Sequence, residues 1–203
     1  MKRLIPSIKL TLTILTLFMT AFMVFGCASK IPHKVVSDYS KRGARLIAVA
    51  PVNNHTADEK AAVLLRETVI RELYFKGYPK ISPKVIDEKL SSVYGSKMDF
   101  KRGDVPPKTM GDLLGVDAVL YCTLTQFKTS YILVYAPVRV SITFELRDTK
   151  TGETLWSTRH ETVNRSFGLS DKQLEMKSYQ LYELAIQEVV DKAMETLPDG
   201  PDV

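Results

Sequence analysis

From residue 45 onward the apolar positions change period several times, and each change marks an element. Arg45-Leu46-Ile47-Ala48-Val49-Ala50-Pro51 is nearly continuous apolar chain stopped by proline, which predicts a strand buried on both faces. The polar loop Val52 to Asp58 leads into a helix with Ala62, Leu65, Val69 and Leu73 on one stripe, Arg66, Glu67, Arg71 and Glu72 outside it, and Gly77 as its stop. Tyr78 to Ser82 reads as a second short strand. Pro83 opens a helix whose buried side is Val85, Ile86, Lys89, Leu90 and Val93. After a polar connector, Pro106-Pro107 starts a helix through Leu113-Leu114, ended by Gly115.

The second half changes to strand periodicity. Asp117 to Gln126 is expected to be a strand, and Tyr131 to Arg147 a longer one. Val138, Val140, Ile142, Phe144 and Leu146 point one way; Arg139, Ser141, Thr143, Glu145 and Arg147 point the other. One apolar face and one wet face predict an antiparallel sheet. Asp148 to Glu153 is a hairpin loop with Gly152 at the left-handed position, and Leu155 to Val163 is the returning strand. That turn sets a register in which Trp156 pairs near Leu146 and shares the core face with Phe144. Ser170 and Gln173 form a capping-box pattern ahead of a long helix, with Leu181, Tyr182, Ala185, Ile186, Val189, Val190 and Ala193 on its apolar side and Pro198 beyond its end.

Residues 1–26 have a different character. Lys2, Arg3 and Lys9 precede an apolar stretch to Phe25, and Val24-Phe25-Gly26-Cys27 resembles the bacterial lipobox at Val24, Gly26 and Cys27. Phe25 departs from it, a smaller residue being usual there. This arrangement fits a lipoprotein signal better than an ordinary secretory signal with a chance cysteine, or an uncleaved anchor. Cys27 is then the lipid-attachment residue and the membrane is a partner through the lipid. Ala28 follows in place of an inner-membrane-retaining Asp, so resemblance to sorted lipoproteins implies the outer membrane. The expected organisation is a signal peptide (1–26), a lipidated tether without periodicity (27–43), one α/β domain (44–198) and a short tail (199–203).

Removing the signal alters the charge argument. The whole chain carries +5, but three of its 28 basic residues lie in the signal, leaving 25 against 23 acidic and a net +2. Nothing in that balance calls for a nucleic-acid partner. Once Cys27 is lipidated only Cys122 remains, on the face shared by Leu120 and Leu124, so it is expected to be a buried, inert thiol.

Candidate chemistry is sparse. His33, His55 and His160 show no metal-ligand spacing, and there is no phosphate loop, nucleophile elbow or cysteine pair, so no metal or cofactor is expected. His55 is the best catalytic candidate, since it follows a buried strand and could be joined by Asn53, Asn54 or Asp58 in a hydrolase-type site. Capping of the next helix is the simpler reading of Asn53 to Asp58. His160 reads as a sheet residue; Asp87, Glu88, Glu183 and Glu188 read as solvated helix faces. Tyr131-Ile132-Leu133-Val134-Tyr135-Ala136-Pro137 is apolar on both faces, and Tyr131, Leu133 and Tyr135 extend the otherwise wet row. They are the expected partner-binding residues.

Three segments carry a resemblance: Leu46 to Pro51, Gly115-Val116-Asp117-Ala118-Val119-Leu120-Tyr121, and Asp148-Thr149-Lys150-Thr151-Gly152-Glu153-Thr154-Leu155-Trp156-Ser157. They resemble small lipoproteins first catalogued as neisserial genome-derived antigens. Broader relatives share the fold of the TolB N-terminal domain, seen also in the curli-secretion and Pel polysaccharide lipoproteins and in activators of peptidoglycan synthases. The resemblance implies an α/β (α+β) domain with a mixed sheet, an antiparallel C-terminal hairpin region and packed helices. It also implies oligomerisation or partner binding, with a homo-oligomer or other envelope lipoproteins as partners, at the periplasmic face of the outer membrane; with the sparse chemistry, this favours a non-enzymatic role over a hydrolase using His55. It supplies no catalytic residues.

Overall fold

The computed structural model describes residues 31–42, 44–95, 105–129, 135–167 and 171–201. Among them one six-stranded mixed sheet is dressed by helices. Its strands are β1 (His33–Val35), β2 (Ile47–Val49), β3 (Asn53–Asn54), β4 (Ala118–Thr129), β5 (Tyr135–Asp148) and β6 (Thr154–Phe167). Its helices are α1 (Tyr39–Arg42), α2 (Glu59–Phe75), α3 (Pro83–Tyr94), α4 (Pro107–Leu114) and α5 (Asp171–Met194). The spatial order is β1-β6-β5-β4-β2, and β3 pairs β4 beyond the end of β2. β2 and β3 run parallel to β4, while β4, β5, β6 and β1 form an antiparallel series. The mixed α/β sheet with its antiparallel hairpin region is the fold expected from the sequence.

The two sheet periodicities have one cause. Around β2 and β4 both faces are covered. Ile47 and Val49 join the main core, while Ala48, Ala50 and Val119 meet Ile86 and Leu90 of α3 and Met110 of α4 on the opposite side. A strand covered twice reads as an unbroken apolar run. Val138, Val140, Ile142, Phe144 and Leu146 of β5 are fully buried in the main core, where α5 packs on β5 and β6 and against α2. The opposite row of β5 contains exposed Arg139, but Ser141 in that row is fully buried, so the expected wet face is broken there.

The hairpin register agrees with the sequence reading. Leu146 opposes Trp156, a bulge follows at Leu155, and the Phe144 and Trp156 rings lie 6.3 Å apart. Trp156 is fully buried and its Nε1 donates to Thr196 Oγ1 at 3.1 Å. On α5, Ala185, Ile186, Val189, Val190 and Ala193 are buried and Leu181 and Tyr182 half-buried, as expected; Ser170 of the capping-box pattern lies outside the described residues. α4 ends at Gly115 in the left-handed conformation.

Five expectations need correction. The stretch read as a structureless tether contains β1 and α1. β1 is too short and too polar to show a period, yet it pairs Trp156–Thr158, and Tyr39 of α1 is buried. Tyr78 to Ser82 is no strand: Tyr78 turns inward, its hydroxyl 2.8 Å from that of Tyr39 and donating to the Pro198 carbonyl at 3.0 Å. Asn53 and Asn54, read as loop, pair in parallel with Thr123 and Leu124. On α3 only Ile86 and Leu90 are buried, whereas Val85, Val93 and Lys89 are exposed, because one (i, i+4) pair suffices to seat a helix that packs along a narrow line. Arg66, placed outside the stripe of α2, is buried. Its Nε and Nη2 donate to the Val49 carbonyl at 3.2 and 3.0 Å, and its Nη1 reaches both Asp87 oxygens at 2.8 and 2.9 Å.

The tail is also held. Lys76 Nζ donates to Asp199 at 2.6 Å, and the Gly200 N–H donates to the Lys76 carbonyl at 2.6 Å.

Candidate functional site

His55 lies in the loop after β3. The His55 N–H donates to the Leu124 carbonyl at 3.0 Å, which puts the exposed imidazole at the rim of an open cleft of 540 Å³. A β-bulge between Leu124 and Gln126 shapes the floor. Thr125 is the extra residue, and its Oγ1 donates to the Ser141 carbonyl at 3.0 Å. The bulge also switches the face of β4, so that Phe127 packs with the core and against Tyr182, ring centroids 4.8 Å apart. Lys128 and Arg139 line the same cleft, and Arg139 Nη1 donates to Glu161 at 2.5 Å.

Two of the three groups expected to assist His55, Asn54 and Asp58, are committed elsewhere, and Asn53 lines a different cleft with Tyr121, Glu145 and Arg147. Asn54 Oδ1 accepts from the Thr56 N–H and hydroxyl at 2.9 and 2.7 Å, and Asn54 Nδ2 donates to the Asp58 carbonyl at 3.1 Å. Asp58 Oδ1 accepts from the Ala61 N–H at 2.9 Å as the N-cap of α2. These bonds build a turn and start a helix, which is the capping reading of the segment.

Cys122 is buried within the main core, and burial pushes its thiol up to about 12, against a lowering effect of the Arg66 charge. It is held as the thiol, the inert form. His160 sits half-buried on β6 opposite Ile142, and His33 Nδ1 lies 2.9 Å from the Ile31 carbonyl on β1. Glu88, Glu183 and Glu188 are exposed, Glu188 accepting from Asn164 at 3.2 Å; Asp87 instead serves Arg66. Among the described residues no cluster of His, Cys, Asp or Glu could hold a metal, and no helix is long and apolar enough to cross a membrane.

Of the expected partner-binding residues, Tyr131 and Leu133 lie outside the described residues, as does Cys27. Tyr135 begins β5, its backbone opposite Phe167. The sequence did not point to the edge beside that pairing. β6 runs on to Phe167, four residues past the expected end at Val163, while β1 covers it only at Trp156–Thr158. From Arg159 to Phe167 no other strand sits on the outer side of β6 among the described residues. An uncovered edge is a row of backbone donors and acceptors that can bind another strand.

With this geometry in place, comparison with known proteins supplies the family. The model of the GNA1162-like lipoproteins matches residues 36–201. The chain belongs to that family. A relative named "Putative lipoprotein NMB1124/NMB1162", from Neisseria meningitidis serogroup B, is 27% identical over 128 residues, 63% of this chain. The chain spans 59% of that relative's length. The crystal structure of lipoprotein GNA1162 from Neisseria meningitidis is similar in fold, with a TM-score of 0.55 at 24% identity, covering 68% of this chain and 96% of that one. The PelC dodecamer from Paraburkholderia phytofirmans is a more distant likeness, TM-score 0.47 at 16% identity, covering 81% of this chain and 97% of that one.

Proposed function

We propose that this chain is a non-enzymatic lipoprotein, anchored through Cys27 to the periplasmic face of the outer membrane, where it acts as an accessory or oligomeric component of an envelope export assembly or as a regulator of a periplasmic partner. The observation that carries the reading is the coincidence of a lipobox-like Val24 to Cys27 with membership of a lipoprotein family. Acyl chains at Cys27 would supply about 0.8 kcal/mol per buried methylene, enough in combination to hold the protein at a bilayer. Support for a binding role comes from the long β6 edge, and from the engagement of Asn54 and Asp58 in capping instead of in partnership with His55.

Membrane fractionation of cells expressing the wild type and Cys27→Ser tests the anchor. The wild type is expected with outer membranes and labelled by palmitate, and the variant released or left as precursor. Unlabelled wild type ends the reading. His55→Ala should keep full biological activity, and its loss in a folded variant would favour a hydrolase instead.

A further inference from the structure

We propose that the edge of β6 left uncovered among the described residues is a self-recognition site, where Arg159 to Phe167 pairs antiparallel with the same segment of a second copy about a two-fold axis at Val163. This rests on the oligomeric part of the function proposed above and locates it. Three observations lead there. β1 stops at His33 opposite Thr158, and Pro32, the residue before it, has no N–H with which to extend a ladder. The remaining edge is already a formed strand, held in register by β5 from His160 opposite Ile142 to Phe167 opposite Tyr135, so little ordering is needed on pairing. The third is the charge pattern.

Edge strands are usually guarded by charge, which repels a second edge. Here the charges attract a copy. Even-numbered residues of β6 lie on the side of α5, where Thr158 and Thr162 are buried and Asn164 reaches Glu188. Glu161 and Arg165 are exposed and share the opposite face. In an antiparallel pair centred on Val163, Glu161 of each copy stands opposite Arg165 of the other, giving two opposite-charge pairs. Moving the centre by one residue, to Thr162, would instead set Arg159 against Arg165. The charges therefore select both the occupant and the register. Glu161 keeps one oxygen on Arg139 within its own chain, which holds the carboxylate in place for the contact.

The test uses the full-length, membrane-extracted lipoprotein, with mass measured by light scattering and the thermal midpoint as a check on folding. Glu161→Arg and Arg165→Glu singly should each weaken association about tenfold, because two like-charge pairs replace two opposite ones, and the double swap should restore it. Val163→Cys should give a covalent self-dimer on mild oxidation, since opposed residues of an antiparallel pair lie within disulfide reach. Ser157→Cys, beneath β1, should not. Unchanged assembly in both single variants, failure of the double swap to restore it, or no self-crosslink at Val163→Cys overturns the proposal. A protein that is lipidated and membrane-bound yet monomeric overturns the edge alone and leaves the lipoprotein reading intact.

Discussion

Arg66 shows what a single side chain does when it is buried for its donors instead of its charge. Its guanidinium closes the Val49 carbonyl at the end of β2 and clamps Asp87 of α3, so one residue of α2 joins a strand and a second helix. Arg66→Ala is expected to cost about 1–3 kcal/mol, the penalty for leaving a buried acceptor unpaired. Asp87→Ala should cost less, about 1 kcal/mol at most, because that carboxylate is 44% exposed and water screens the pair. Urea unfolding of both variants decides this, and equal losses would contradict it. Tyr39 and Tyr78 make a second prediction. Burial raises both phenols above their ordinary value; the Tyr78 hydroxyl adds to the rise at Tyr39, while the Tyr39 hydroxyl opposes it at Tyr78. A folded-state value above the unfolded one means stability fully present below about pH 10 and lost as pH climbs further. Tyr39→Phe with Tyr78→Phe should flatten that alkaline decline, Tyr121 retaining part of it because burial raises its phenol as well. An unchanged slope in the double variant would show that the pair does not contribute.

At the scale of elements, two of the three segments that carry the family resemblance turn out to satisfy backbone. Asp117 Oδ2 accepts from the N–H groups of Arg45 and Leu46 at 3.1 and 2.9 Å, fixing the start of β2 beside β4. Asp148 Oδ1 accepts from the N–H groups of Lys150 and Thr151 at 2.7 and 2.8 Å, shaping the β5–β6 turn. Thr149 Oγ1 lies 2.9 Å from the carbonyls of both Val116 and Asp117, so the two segments are tied together. α4 comes so close to this turn that a Cβ on Gly111 would stand 2.6 Å from that of Thr149. In the turn itself Gly152 has φ +75 with open space around it, so the cost of a side chain there is purely conformational. Gly152→Ala should lower stability by about 1–2 kcal/mol and Gly152→Asn by less, since Asn enters the left-handed region more readily. Equal thermal midpoints for all three chains would mean that the turn relaxes to another geometry. These turns were legible because Gly, Asp and Thr at turn spacing have few other uses. β5 was legible because its apolar alternation runs from Val138 to Leu146. β1 and β3 were not, because three and two residues cannot show a period and their partners lie far along the chain. Nor could the chain reveal the exposure of Val85 and Val93, which depends on how little of α3 the neighbouring elements reach.

For the whole molecule, the sequence conveyed the lipobox-like motif and the fold more readily than the proposed recognition edge. Cys27 announces itself by its position after an apolar run, whereas an open strand edge is defined by what does not lie beside it. β6 carries no mark of its own that β1 ends at His33, opposite Thr158, and the apolar row around Leu133 points to the neighbouring segment instead. The lipid anchor at Cys27 is the claim on which the proposed function depends. Intact-mass measurement of the protein purified from outer membranes tests that claim most directly. The expected result is a mature chain beginning at Cys27, heavier than its amino acids by a diacylglyceryl group and an amide-linked acyl chain, with the whole addition lost in Cys27→Ser. A chain of unmodified mass, or one still beginning at Met1, would contradict it.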